Sequence, residues 1–244
     1  MIRLNDILGY SNLKIYQDDN FFSFSLDSII LANYSTIRLR DKKIIDFCTG
    51  NAVIPIILTR RCNKNIEGVE IQKPLYDLAL KSVEINNLSS RIKIYNQDVK
   101  DFANDIANLN VYDLVLCNPP YFKNIENSSK NISYEKMIAR HEVLINLDEV
   151  CSCAKKILKD NGNICIVHRS DRLMDILSSF RNNNIEPKRI KFVYETLDKP
   201  SNLVLVEGQK CGSVGLIVDK PLVMYNSDGT MTSEYSFLQN EVIK

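Results

Sequence analysis

From Lys43 onward, the apolar positions switch repeatedly between two periods. Short apolar runs at Lys43–Phe47, Ile66–Glu70, Ile92–Tyr95, Val111–Cys117, Asn163–His168, Arg189–Tyr194 and Asn202–Glu207 read as strands. The intervals carry helical spacing at Val53–Arg61, Lys73–Asn87, Lys100–Ala107, Leu147–Leu158 and Arg172–Asn182. This alternation predicts an α/β fold: a seven-stranded, mostly parallel sheet with helices on both faces. Ahead of it, Leu13–Tyr16 and Phe21–Ser25 predict a hairpin about the polar turn Gln17–Asn20. A helix over Leu26–Ser35 follows, capped by Ser25 or Asp27. Near the other end, Leu203–Glu207 and Val214–Val218 predict a second hairpin. The division is then a hairpin-helix extension over 1–40, a main domain over 41–220 and a tail over 221–244. The stretch Phe122–Ile138 has neither period and is rich in Asn, Ser and Lys, which predicts a long functional loop.

Composition narrows the class. The chain has 244 residues, enough for one large domain, with 31 basic against 30 acidic residues and a formal charge of +1. No general basic character advertises a nucleic-acid partner, so any such surface must be local. The seven cysteines include no CxxC pair and several lie in apolar runs, which predicts reduced thiols in a cytoplasmic protein and no metal site. The apolar runs are too short to span a membrane, and the N-terminus does not read as a signal peptide.

Three strand ends carry acids. Ile44-Ile45-Asp46-Phe47 runs into Cys48-Thr49-Gly50-Asn51-Ala52, a polar turn that opens a helix, where ligands of open α/β sheets bind. Only Gly50 remains of the three glycines of a dinucleotide fingerprint, which argues against a pyrophosphate ligand. A ligand without phosphate, such as S-adenosylmethionine, needs close approach at fewer points. Asp46 would orient its methionyl end and Gly50 would make room. Glu70 lies about 20 residues beyond Gly50, where an acid holds ribose hydroxyls. Asp98, with Val99 beside it, would take the adenine amine of the cofactor. Each acid alone is also a common loop or capping residue.

The fourth strand ends in Asn118-Pro119-Pro120-Tyr121. Methylating an exocyclic amine requires reshaping a lone pair delocalised into a ring. Two acceptors for the amine protons do this: the Asn118 side-chain oxygen and the Pro119 carbonyl. The prolines fix the turn, and Tyr121 offers a face on which a base stacks. In isolation such a Pro-Pro turn would simply be a rigid strand end. Following three strands with terminal acids, it predicts nitrogen methylation.

Across roughly Lys14 to Gly208 the chain resembles class I S-adenosylmethionine-dependent methyltransferases with an Asn-Pro-Pro-Tyr motif. Within them it is similar to the bacterial tRNA1(Val) adenine-37 N6-methyltransferase family. The resemblance rests on Phe22-Ser23-Phe24-Ser25-Leu26-Asp27-Ser28, Asp46-Phe47-Cys48-Thr49-Gly50-Asn51, Gly68-Val69-Glu70-Ile71-Gln72, Cys117-Asn118-Pro119-Pro120-Tyr121-Phe122, Ala139-Arg140-His141-Glu142 and Val167-His168-Arg169. It implies a Rossmann-like fold, S-adenosylmethionine as cofactor, and the anticodon loop of a tRNA as substrate; the oligomeric state stays open, with a monomer favoured. Gln17, Ser25 and Asp27 would close the cofactor pocket at its amino-acid end, and Thr49, Gly50, Asn51, Glu70, Ile71, Asp98, Val99 and Asn118 would line it. Ala52 departs from the glycine common in the family. Pro120, Tyr121, Phe122, Arg140 and His141 would face the substrate, although a structural pairing of His141 with Glu142 is equally open. Basic groups at Arg38–Lys43, Arg169–Arg172 and Lys188–Lys191 would hold RNA phosphates if they converge on the pocket, with Arg169, Lys188 and Arg189 as the named contacts. Release-factor glutamine, rRNA guanine and DNA adenine remain alternative substrates, and a non-catalytic RNA-binding module an alternative class.

Overall fold

The structure is a computed structural model that describes residues 1–21, 26–119 and 145–239. The strands are β1 (Ile2–Ile7), β2 (Tyr10–Asp18), β3 (Lys43–Phe47), β4 (Asn65–Glu70), β5 (Ile92–Asn96), β6 (Tyr112–Cys117), β7 (Leu158–Arg169), β8 (Ile185–Tyr194), β9 (Leu203–Lys210), β10 (Ile217–Val218) and β11 (Leu222–Val223). The helices are α1 (Leu26–Tyr34), α2 (Val53–Arg61), α3 (Lys73–Ile85), α4 (Val99–Asn104), α5 (Leu147–Ile157), α6 (Leu173–Asn182) and α7 (Ser233–Gln239). Every strand and helix expected between Lys43 and Glu207 is present, with ends shifted by a few residues.

Strands β3 to β11 form one sheet in the order β10-β8-β9-β7-β6-β3-β4-β5, with β11 also paired to β8. The five strands from β3 to β7 are parallel, and β9 runs antiparallel between β7 and β8. The two faces bury different sets because side chains alternate along each strand. Ile44, Leu114, Leu116, Cys165 and Leu205 pack with α1, α2 and β2 residues on one face, while Ile45, Phe47, Val115, Ile164 and Val206 pack with α4, α5 and α6 residues on the other. Burial on both faces explains why the central strands read as continuous apolar runs.

Three expectations change at the margins. The N-terminal hairpin pairs β1 with β2, its turn at Leu8-Gly9 with Gly9 at φ 83. The expected strand pair missed β1 because its burial does not alternate: Ile2 and Leu4 are both exposed. Residues 22–25, the far half of the expected hairpin, lie outside the described residues. At the other end, Val214–Val218 does not fold back on β9. Strand β9 has both edges filled, by β7 and β8, so Ile217–Val218 instead lies parallel to the open edge of β8. The segment expected as a tail adds β11 to that strand and then α7, which brings the sheet to nine strands among the described residues, against the seven expected. The Phe122–Ile138 loop lies outside the described residues.

The extension is tied to the main fold through side chains. The Tyr16 amide donates to Ser82 Oγ (3.0 Å) and the Lys14 amide to Asn86 Oδ1 (2.9 Å), both on or just beyond α3, and Asn86 Nδ2 returns a bond to the Lys14 carbonyl (2.7 Å). Thus side chains of this helix satisfy part of a strand edge that has no neighbouring strand among the described residues.

Candidate active site

The turn after β3 is built from alternate left-handed residues: Cys48 at φ 56, Gly50 at φ 58 and Ala52 at φ 71. A side chain in this region costs about 1 kcal/mol or more, so Ala52 carries strain where the related family commonly has glycine. Neighbouring groups hold the turn. The Thr49 amide bonds to the Val69 carbonyl (3.0 Å), and the Thr49 hydroxyl donates to Asp46 Oδ2 (2.6 Å). Gly68 on β4 makes room for that threonine, since a Cβ there would come within 3.0 Å of Thr49 and 2.9 Å of Ile94. At Gly50 an added Cβ meets nothing within 4 Å. Asn51 Nδ2 donates to the Tyr16 carbonyl (3.0 Å), which brings β2 against the turn.

Asp46 and Glu70 are the two buried acids of this corner, 0% and 4% exposed. One carboxylate oxygen of Asp46 accepts from Thr49, while the other, Oδ1, is buried with no hydrogen-bond partner among the described residues. Burial pushes the Asp46 carboxyl well above the usual carboxylate range, against the Thr49 bond and with the help of the nearby Glu70 charge. Burial also raises Glu70, opposed by amide bonds from Gln72 and Gly50, each 2.9 Å. An orphaned carboxylate oxygen in a dry corner calls for a cationic or N–H-bearing ligand. Such a group is what a ligand with an ammonium end supplies.

Asp98 behaves differently. It caps α4, its Oδ1 accepting from the Lys100 amide (2.7 Å), and its Oδ2 lies 3.6 Å from Lys100 Nζ. Asn96, the last residue of β5, spans the gap to β4 by donating to the carbonyls of Glu70 (2.9 Å) and Ile71 (3.1 Å). The sequence pattern does not single out Asn96. Its signal there is that of a polar residue ending a strand beside Gln97 and Asp98.

On the next strand, Phe47 pairs with Cys117, so the β3 turn and Asn118 begin side by side. Asn118 Nδ2 donates to Ser28 Oγ (2.9 Å) in the first turn of α1. Asp27, in the same turn, is half-buried. Gln17 points elsewhere, its Oε1 accepting from Asn5 on the exposed hairpin (2.6 Å). Val99 is buried in the cluster that holds Tyr95 and Phe102, and Ile71 is 39% exposed. His168 is buried, and burial together with the Arg172 charge pushes it down to about 4, so it is neutral at pH 7. Ser25, Pro120, Tyr121, Phe122, Arg140 and His141 lie outside the described residues.

The basic groups do not converge. Arg38 bonds to Asp41, to the Asn161 carbonyl and to Asn163, while the Lys42 and Lys43 amides bond to Asp113, all near the start of β3 and away from the turn. Arg189 stacks over the Tyr34 ring, donates to Thr36 Oγ1 (2.6 Å) and pairs with Asp219 (2.9 Å), three strands from β6. Lys188 donates to the Ser213 carbonyl (3.0 Å). Arg169 alone of the three named contacts stands at the end of a strand next to β6, paired with Asp171 (2.7 Å). Among the described residues no cluster of three or more His, Cys, Asp or Glu could hold a metal ion, and no helix is long and apolar enough to cross a membrane.

A parallel sheet in this order, one antiparallel strand beside its last parallel member and buried acids at the ends of β3 and β4 together define a class I methyltransferase. Solved structures share the fold. A predicted O-methyltransferase from Agrobacterium tumefaciens superposes with a TM-score of 0.70 at 17% identity, over 88% of this chain and 96% of that one. Geranyl diphosphate C-methyltransferase from Streptomyces coelicolor, solved with S-adenosyl-L-homocysteine, superposes with a TM-score of 0.55 at 10% identity, over 75% and 79%. Residues 12–194 match the family described as methyltransferase small domain, and the chain belongs to that family. Among curated relatives, the tRNA1(Val) (adenine(37)-N6)-methyltransferase of Parabacteroides distasonis is 23% identical over 203 residues, 83% of each chain. The protein of that name from Trichodesmium erythraeum is 28% identical over 162 residues, 65% of each.

Proposed function

We propose that the protein transfers a methyl group from S-adenosylmethionine to the exocyclic amine of an unpaired adenine in a tRNA anticodon loop, as its relatives' names describe for adenine 37 of tRNA1(Val). The observation that carries this reading is the pairing of Phe47 with Cys117, which seats the buried Asp46 corner beside Asn118. When bound, the cofactor supplies an electrophilic methyl on a sulfonium. The chain's own residues do the rest. Asp46 Oδ1 takes the ligand's cationic amino end, Glu70 takes the ribose hydroxyls, and Asp98 and Val99 meet its adenine. Asp27 closes the amino-acid end. The Asn118 side-chain oxygen and the Pro119 carbonyl accept hydrogen bonds from the two amine N–H groups of the target base, which turns its lone pair toward the methyl. Tyr121 supplies a stacking face, a contact of about 1–3 kcal/mol. No strong general base is required, because the alkylated nitrogen is acidic, so positioning carries most of the rate.

In this reading Pro120, Phe122, Arg140 and His141 contact the substrate, and so does Arg169 at the end of the strand next to β6. Lys188 and Arg189 take no part in that contact, being engaged on β8, three strands from β6. A cytoplasmic location fits both a tRNA substrate and the free cysteines. The test is incubation with labelled cofactor and tRNA lacking the modification, followed by nucleoside digestion. N6-methyladenine is the expected product. Binding of the cofactor without any methylated nucleoside would refute the substrate, and transfer to a release-factor glutamine in parallel would redirect it.

A further inference from the structure

We propose that Ser28 is a positioning residue for methyl transfer, holding the Asn118 amide with its nitrogen toward α1 and its oxygen toward the substrate. The inference rests on the role given above to Asn118. An asparagine amide is nearly symmetric in shape but opposite in chemistry at its two ends. The amine of a base presents two N–H donors, so the oxygen end must meet it. The nitrogen end would set donor against donor. In the structure Asn118 Nδ2 donates to Ser28 Oγ at 2.9 Å, which gives that end an acceptor of its own, ninety positions earlier in the chain.

Ser28 can hold this position because α1 is locked at several points. Ile29, Ile30, Leu31 and Ala32 are buried in the core, and Ser28 itself is only 7% exposed. The Tyr10 hydroxyl donates to Asn33 Oδ1 (3.0 Å). Arg61 of α2 binds the last turn of α1, donating to the Ala32 carbonyl and to Ser35 Oγ. A hydroxyl on a rigid helix imposes a fixed direction on the group that bonds to it. The Pro119 ring fixes φ on the other side of Asn118, so backbone and side chain are both constrained.

The experiment is a double-mutant cycle on Ser28 and Asn118, read as single-turnover methylation with cofactor affinity measured separately. Ser28→Ala should lower the methyl-transfer rate about five- to tenfold, the worth of one neutral hydrogen bond, and leave cofactor affinity within about twofold. Ser28→Thr, which keeps the hydroxyl, should recover most of the rate. In an Asn118→Ala background, Ser28→Ala should add nothing, because the group it positions is gone. An unchanged rate in Ser28→Ala, or an equal loss with and without Asn118, would overturn the proposal and leave Ser28 a packing residue. If Asn118→Ala itself methylates at the normal rate, the role given to Asn118 fails, and this inference with it.

Discussion

The turn after β3 and the turn after β6 start on neighbouring strands and are stabilised in contrasting ways. The first draws most of its support from nearby sequence: Asp46 and Thr49 bond to each other, and Glu70 on the next strand takes the Gly50 amide. Its backbone is left-handed at three alternate residues, and its carboxylates are dry. Of the second, Asn118 and Pro119 are among the described residues, and Asn118 is anchored to Ser28, in the segment ahead of the sheet. The β3 corner is folded largely by one βαβ unit, with Asn51 reaching outside it to the Tyr16 carbonyl. A catalytic group whose orientation matters needs a brace from another part of the chain.

The sharpest break of this contrast is Asn118→Ala. If the second turn acts only on the reacting amine, the substitution should lower methyl transfer about 10²–10³-fold, the usual cost of removing one preorganised polar group. Cofactor affinity, measured by calorimetry, should fall far less, because Asn118 is one lining residue of a pocket held mainly by the β3 corner. A comparable loss in both would erase the division between the two turns.

That division also governs how much could be read from sequence. The main strands and helices announced themselves because both faces of the sheet are buried and α3, α5 and α6 are amphipathic. Asp46, Thr49, Gly50 and Glu70 meet in one corner, as their order in the chain suggests, since consecutive strand ends keep their residues in order. Asp98 shows the limit, because a helix cap and a ligand acceptor look alike in sequence. Ser28 was invisible as a partner of Asn118, being ninety positions away with nothing local to mark it. Arg189 looked like a phosphate contact until Thr36, Tyr34 and Asp219 closed around it. Strands β1 and β11 were missed, and the Val214–Val218 strand was given the wrong partner, because too little of them is buried to impose a period.

Next in size are two glycine substitutions within the β3 corner. Gly68→Ala drives a methyl into Thr49 and Ile94 and should cost about 1–3 kcal/mol of stability by overpacking. Gly50→Ala meets open space, so its cost should be near ~1 kcal/mol, from the left-handed backbone alone. Cofactor affinity sharpens the comparison. The Gly50 methyl projects into the space assigned to the ligand, so Gly50→Ala should lose more affinity than stability. Chemical denaturation and cofactor titration on the same two variants give both quantities, and equal ratios would argue that Gly50 faces no ligand.

A smaller effect should appear with pH. Asp46 holds its proton in the folded state to well above the ordinary carboxylate range, mainly through burial. The folded state thus binds more protons than the unfolded one across that window, so this group lowers stability as pH rises from the ordinary range to the elevated value. A cationic ligand selects the ionised form. Its affinity should therefore rise over the same window, by no more than about tenfold per pH unit, with a proton released on binding. Calorimetry in two buffers of different ionisation enthalpy measures that release. Asp46→Asn should abolish it, whereas Asn118→Ala should leave it intact.

The smallest predicted effect lies on the far side of the second turn, at Arg169. Its pair with Asp171 is exposed, 43% and 58%, and such pairs contribute about 0–1 kcal/mol to stability. Arg169→Ala should therefore melt close to the parent. Yet Arg169 ends the strand beside β6, where a bound RNA passing Asn118 would run. Deleting a phosphate-binding side chain there should weaken tRNA binding and reduce the slope of its salt dependence by about one. Lys188→Ala is the matched control, because Lys188 lies on β8, beyond β7 and β9, with its ammonium on the Ser213 carbonyl. It should leave the salt slope as it is. If Arg169→Ala and Lys188→Ala weaken tRNA binding equally, RNA spreads across the sheet to its β8 edge. The second turn would then be the centre of a much wider surface than the strand next to it.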